Sequence, residues 1–165
     1  MILPELNKNW KIIDIGCGDG WLVKELRDRG YDCIGIEKVY KDFDPKIKDL
    51  VICDDFNNND FKDKEFDCSI LMEVIEHLPI ESVKEIERIT KRKIIISTII
   101  PPSDFLITVV AVQLNLIGGK KMIRETPHLN LYYLKDIPFN DFILAKSKRY
   151  FIFDQFGVFE RVKKD

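Results

Sequence analysis

The stretch Glu73-Val74-Ile75-Glu76-His77 sets two carboxylates and an imidazole at i, i+3 and i+4. A single helical turn would gather all three on one side. His128, the only other histidine, comes later in Thr126-Pro127-His128. Two glutamates and two histidines can hold a divalent metal, and mixed oxygen and nitrogen donors accept magnesium, manganese, zinc or iron alike. Imidazoles also titrate near neutral pH, so His77 is placed by sequence for general-base work. Its plainer role is a hydrogen bond that fixes its own loop.

A second constellation lies near the start. Ile12-Ile13-Asp14-Ile15 is apolar around one acid and runs into Gly16-Cys17-Gly18-Asp19-Gly20, with glycine at every second position. Glycine there admits positive φ and lets the backbone approach a ligand that a Cβ would hold away. The dinucleotide fingerprint G-x-G-x-x-G lays a pyrophosphate on a helix N-terminus. Here Trp21 stands where its third glycine would fall. Asp14 and Asp19 would repel phosphate oxygens but suit a ligand carrying an ammonium and a sulfonium, such as S-adenosylmethionine. Glu37, closing the strand-like Tyr31 to Glu37, can accept both ribose hydroxyls. Asp54, after the apolar Leu50 to Cys53 and beside Phe56, can accept from the adenine amino group, with Asp55 in reserve. Met72 is either a wall of the same pocket or plain core. The expected cofactor set is therefore Asp14, Gly16, Cys17, Gly18, Gly20, Glu37, Asp54, Asp55 and Met72.

These groups need elements to hold them. Trp21 to Arg29 is helix-like, with Leu22, Val23 and Leu26 on one face and Gly30 as the stop. A strand, a glycine turn and a helix open a βαβ unit. Phe66 to Met72 and Lys93 to Thr98 read as strands four and five, with Lys91-Arg92-Lys93 leading into the latter. Between them Pro79 opens a helix with a stripe of Ile80, Val83, Ile86 and Ile89 or Thr90. Asn57-Asn58-Asn59 is a polar turn. Phe142 to Phe153 and Val158 to Val162 read as two strands joined by a hairpin turn at Asp154-Gln155-Phe156-Gly157.

Four motifs in this order resemble the class I S-adenosylmethionine-dependent methyltransferases: the Asp14-x-Gly16-x-Gly18-x-Gly20 loop, Glu37, Asp54, and the strand Phe66 to Met72 followed by Glu73 to Leu78. The resemblance is close over the first two thirds of the chain and holds in outline beyond. It implies an α/β, Rossmann-like, doubly wound sheet of seven strands in the order 3-2-1-4-5-7-6, strand seven antiparallel, with S-adenosylmethionine across the carboxyl ends of strands one, two and three. The Glu-x-x-Glu-His pattern with a later histidine is similar to two methyltransferase groups. One methylates catechol-like hydroxyls in ubiquinone biosynthesis, and the other methylates the 2′-hydroxyl at small-RNA 3′ ends. In both, the resemblance implies a divalent metal that holds adjacent hydroxyls and lowers the pKa of the attacking one; here its ligands would be Glu73, Glu76, His77 and His128. The pattern also occurs in the superfamily without metal.

Composition narrows the partners. At 165 residues the chain fits one domain over 1–165. A net charge of −2 gives no overall basic footprint, although Lys120, Lys121 and Arg124 cluster locally, as do Arg161, Lys163 and Lys164. An RNA acceptor is therefore disfavoured against a small molecule. Cys17, Cys33, Cys53 and Cys68 fall in or near strands expected to be buried, without C-x-x-C pairing or a visible signal peptide, which points to reduced cysteines in the cytoplasm. The apolar run Phe105 to Ile117 is too short to span a bilayer. With Ser103 or Asp104 as N-cap and Gly118 as stop, it reads as a helix on the sheet or over the substrate mouth; a membrane-surface or dimer contact is the other reading. Tyr132 and Tyr133 either line a pocket or pack on the sheet. The favoured reaction is O-methylation of a small or lipid-soluble hydroxyl acceptor. Its alternatives are metal-independent N- or C-methylation, RNA methylation, and a non-catalytic S-adenosylmethionine-binding or scaffold protein.

Overall fold

The computed structural model describes residues 2–39, 43–99, 133–150 and 154–163. Within them one sheet is built from β1 (Lys11–Ile15), β2 (Asp32–Glu37), β3 (Val51–Cys53), β4 (Phe66–Met72), β5 (Thr90–Ile99), β6 (Phe142–Tyr150) and β7 (Asp154–Arg161). Their order is β3-β2-β1-β4-β5-β7-β6. β1 to β5 pair in parallel, and β7 runs antiparallel to both β5 and β6. The direction of winding reverses between β1 and β4, where open α/β sheets leave a crevice for a ligand. The expected topology is the observed one.

The central strands β1, β4 and β5 are buried on both faces, which their sequences require: runs such as Ile12-Ile13 and Ile94-Ile95-Ile96 are apolar on both sides of the pleat. Ile13, Leu71, Ile94, Ile96 and Phe159 point to one face, where α2 (Ser82–Ile89) supplies Val83, Ile86 and Ile89. Ile12, Cys68, Ile70, Ile95 and Val158 point to the other, where α1 (Trp21–Asp28) supplies Val23 and Leu26. Gly30 ends the α1 turn at φ 78°, as its position as a stop predicts.

Four expectations need correction. Asp154 to Gly157 is no turn but the first half of β7, with Gly157 paired to Ile96 on one side and Ser147 on the other. Its glycine answers to packing: a Cβ there would lie 2.8 Å from the Leu134 side chain. Lys91-Arg92-Lys93 lies inside β5 rather than ahead of it, because the chain leaves α2 at Thr90 directly in extended conformation. Cys53 is exposed at the end of the short β3, whereas Cys17, Cys33 and Cys68 are buried. Ile80 precedes α2 and is exposed rather than part of its apolar stripe. The segment 105–117, His128 and Tyr132 lie outside the described residues, as do Lys120, Lys121, Arg124 and Lys164. Among the described residues no helix is long and apolar enough to cross a membrane.

One substitution tests the packing that the site depends on. A Cβ at Gly35 in β2 would lie 2.6 Å from Cys17 Sγ and 3.0 Å from the Val23 side chain. Gly35→Ala is expected to cost about 1–3 kcal/mol through overpacking, read as a lower urea midpoint with an unchanged m-value.

Candidate active site

The loop after β1 folds back onto β2. The backbone N–H groups of Gly16 and Cys17 both donate to the Ile36 carbonyl, at 2.9 and 3.2 Å. Gly16, Gly18 and Gly20 take φ values of 68°, 59° and 78°, a left-handed run that glycine adopts without a Cβ clash. Glu37 clamps the loop from β2: Gly18 N–H donates to its Oε2 at 2.9 Å and Val39 N–H to its Oε1 at 3.1 Å. Asp19 then starts α1, its carboxylate accepting from the Trp21 N–H at 3.1 Å.

Beside this loop opens a cavity of about 310 Å³. Asp14, Gly16, Cys17, Gly18 and Met72, all expected at the site, line it. So do Asp19, Trp21, Leu22 and Ile2. Trp21 had registered in the sequence only as a broken fingerprint. Its ring is 67% exposed at the cavity rim, and a bulky exposed aromatic at N1 of a helix beside a glycine loop was the signal available.

Asp14 is the electrostatic centre of the cavity. It is 3% exposed and has no hydrogen-bond or ion-pair partner among the described residues. Burial, reinforced by the neighbouring Glu37 charge, pushes its pKa up to about 8. An unpaired buried carboxylate is costly until a cation reaches it, so the cavity suits a ligand with a positively charged end. The Cys17 thiol is pushed up to about 12, first by burial and then by Asp14 and Glu37. That leaves it a neutral wall and no nucleophile.

The two acids after β3 differ. Asp54 is exposed, with one oxygen accepting from the Asp55 N–H at 2.7 Å. The Asp55 carboxylate is engaged by Lys38 at 2.7 Å and caps the 3-10 turn Phe56–Asn58 through the Asn57 N–H. Lys38 holds its pKa below the usual range. Asp54 is thus the freer acceptor at that edge.

Beyond β4 the geometry departs from the expected helical turn. Glu73 takes φ 55° and a 3-10 turn follows at Ile75–His77. Ser97 Oγ donates to the Glu73 carboxylate, and Thr98 Oγ1 donates to that of the buried Glu76 at 3.0 Å. Ser97 and Thr98, consecutive on β5, thus hold one carboxylate each, and the Glu73 and Glu76 side chains also hydrogen-bond to each other. Desolvation raises the Glu73 pKa; the Ser97 hydrogen bond opposes this, and Glu76 and Asp154 add to it. His77 ends the turn, partly buried, with its backbone N–H on the Val74 carbonyl at 2.9 Å. Among the described residues no three His, Cys, Asp or Glu side chains are grouped as a metal requires.

The raised Asp14 pKa has a stability consequence. Between its ordinary value of 3.8 and about 8, the native protein keeps a proton that the unfolded chain has lost, so stability is expected to fall as pH rises through that window. Urea titrations across it should show the decline, and Asp14→Asn should flatten it.

Comparison with known proteins agrees with this architecture. Residues 1–137 match the model of a methyltransferase-domain family. Among solved structures, an S-adenosylmethionine-dependent methyltransferase of Methanosarcina mazei superposes with a TM-score of 0.69 at 15% identity, covering 99% of this chain and 97% of that one. A protein of Pyrococcus horikoshii OT3 gives 0.68 at 18% identity over 98% and 86% of the two chains. The magnesium protoporphyrin IX methyltransferase of Synechocystis PCC 6803, with bound S-adenosylhomocysteine, gives 0.66 at 19% over 98% and 78%. No curated protein matches the sequence. The matched family model spans β1 through β5 together with the glycine loop, and the chain belongs to this methyltransferase-domain family.

Proposed function

We propose that the protein transfers the methyl group of S-adenosylmethionine to a hydroxyl of a small or lipid-soluble acceptor, and that the cavity beside the glycine loop holds the methyl donor. The observation that supports this most directly is Asp14, a buried carboxylate without a partner among the described residues, lining a cavity whose walls are backbone, Cys17 and Met72. The residues fit the donor: Asp14 faces its cationic end, and Gly16 to Gly20 admit it close to the backbone. Glu37 has lone pairs left for ribose hydroxyls after accepting from Gly18 and Val39. Asp54 takes the adenine amino group. The Trp21 ring, exposed at the rim, offers a π face to the positive charge.

S-adenosylmethionine supplies, when bound, a methyl group on a positively charged sulfur open to displacement. The protein's own work is then alignment and exclusion of water, and removal of the acceptor's proton. His77 takes that proton in this reading, since it stands on the turn that follows Met72, itself a wall of the donor cavity.

Calorimetry with S-adenosylmethionine is the first test. Below about pH 8 the cation displaces the proton of Asp14, so the observed enthalpy should vary with the ionisation enthalpy of the buffer, and Asp14→Asn should abolish that dependence. Glu37→Ala should weaken binding by about tenfold or more, the scale of one charge-assisted hydrogen bond. No binding by the folded wild type would leave a scaffold.

The chemistry is tested by turnover of hydroxyl and amine acceptors. His77→Ala should lower kcat on hydroxyl acceptors by about 10² to 10⁴ with donor affinity unchanged. Turnover of amines alone, insensitive to His77, would replace O-methylation by N-methylation.

A further inference from the structure

The segment ahead of β1 lies on the same face of the sheet as α1, where Ile2, Leu3, Leu6 and Trp10 pack against the core together with Leu22 and Met72. Ile2 is also a wall of the donor cavity, beside Asp14 and Met72. The only regular structure in this segment is the 3-10 turn Leu3–Glu5. A turn so short makes too few bonds of its own to stay folded. Its position must be set from outside.

The outside contact is ionic. One oxygen of the Glu5 carboxylate accepts from Lys93 of β5 at 3.1 Å, and the other accepts from Lys146 of β6 at 2.7 Å. Lys93 lies two residues before Ile95 on β5, and Lys146 pairs with Val158 of β7. Ile95 and Val158 belong to the α1 face, so both ammonium groups rise from that face. The Glu5 and Lys93 side chains are 11% and 12% exposed, and salt screens so sheltered a pair much less than an open one. Lys93 also lies 5.7 Å from the centre of the Trp10 ring, which anchors the segment at a second point.

From this latch to the cavity is a single hydrogen bond. The Glu5 N–H donates to the Ile2 carbonyl at 2.9 Å, and the Leu6 N–H to that of Leu3 at 3.2 Å. Pro4 fixes a backbone dihedral between them. The residue gripped by the two lysines is therefore the one that sets the cavity wall.

We propose that Glu5 is a positioning residue for the methyl donor: pinned by Lys93 and Lys146, it holds Ile2 against the donor cavity and slows release of the donor and of its demethylated product. Loosening the latch lowers the fraction of molecules with the wall in place, and affinity falls by that fraction. The role rests on the reading of this cavity as the donor site, whereas the latch rests on the Glu5 contacts alone.

Stopped-flow release of S-adenosylhomocysteine from the full chain, combined with amide hydrogen exchange at residues 5 and 6, tests the two separately. Glu5→Gln should speed exchange at both amides and raise the release rate about fivefold or more. Lys93 keeps Glu160 at 3.5 Å, so this change leaves the sheltered lysine paired and the chain folded. Ile2→Ala should speed release comparably. The variant carrying both changes should release within about twofold of the faster single variant, because both act through one wall. Multiplying effects of the two changes, or faster exchange with unchanged release, overturn the positioning role. Unchanged exchange in Glu5→Gln overturns the latch. A folded wild type that binds no S-adenosylhomocysteine, while Glu5→Gln still speeds exchange, would overturn the donor reading and leave the latch standing.

Discussion

The loop after β1 must lie closer to β2 than a side chain at residue 35 would permit, and the carboxyl edge of the sheet is organised around that contact. Cys17 and Val23 occupy the space that a Gly35 Cβ would take. With that space filled, the Ile36 carbonyl can receive two N–H groups from the loop and Glu37 can clamp Gly18. The three left-handed glycines then complete a turn that ends at the start of α1. Each contact is an ordinary hydrogen bond, but together they aim backbone rather than side chain at the cavity. Only such a wall lets a ligand approach β1 this closely.

The same closeness explains the cost carried by Asp14. A strand buried on both faces places its residue 14 among apolar neighbours, with Glu37 as the nearest charge. Neither burial nor that neighbour favours ionisation, so Asp14 holds its proton to about pH 8 and gives it up readily only to a cation. A neutral residue would make a quieter core and a poorer site. Sites of this kind trade local stability for differential affinity, and here the trade would be made on the β1 residue that lines the cavity beside the glycine loop.

Charge changes sign across the sheet. Near β1 and β4 the cavity is walled by Asp14 and Asp19; Glu73, Glu76 and Asp154 influence one another at the end of β4, β5 and β7. At the β6 edge a second cavity has a basic lining. The antiparallel β7 makes this arrangement, since it brings the end of the chain back against β5 and sets β6 outside it.

Much of this was legible in the residues. The glycine spacing after Asp14, the acids closing the second and third strands, and the apolar runs between them specify local conformations, and local conformation depends on near neighbours in sequence. The order and type of the elements follow from that, as does the gathering of Asp14 to Gly18 and Met72 around one cavity. What the chain could not reveal alone were contacts between segments far apart. Gly157 looks like a turn until Leu134 is seen to need its space. That Glu73 and Glu76 meet the hydroxyls of Ser97 and Thr98 on β5 is likewise invisible along the chain. The sequence by itself determined a glycine-loop α/β sheet with acidic residues beside that loop, because those signals are periodic and short-range. The tertiary structure alone decided which β5 hydroxyls meet Glu73 and Glu76 and why residue 157 is glycine, because which strand lies beside which is settled by packing across the sheet.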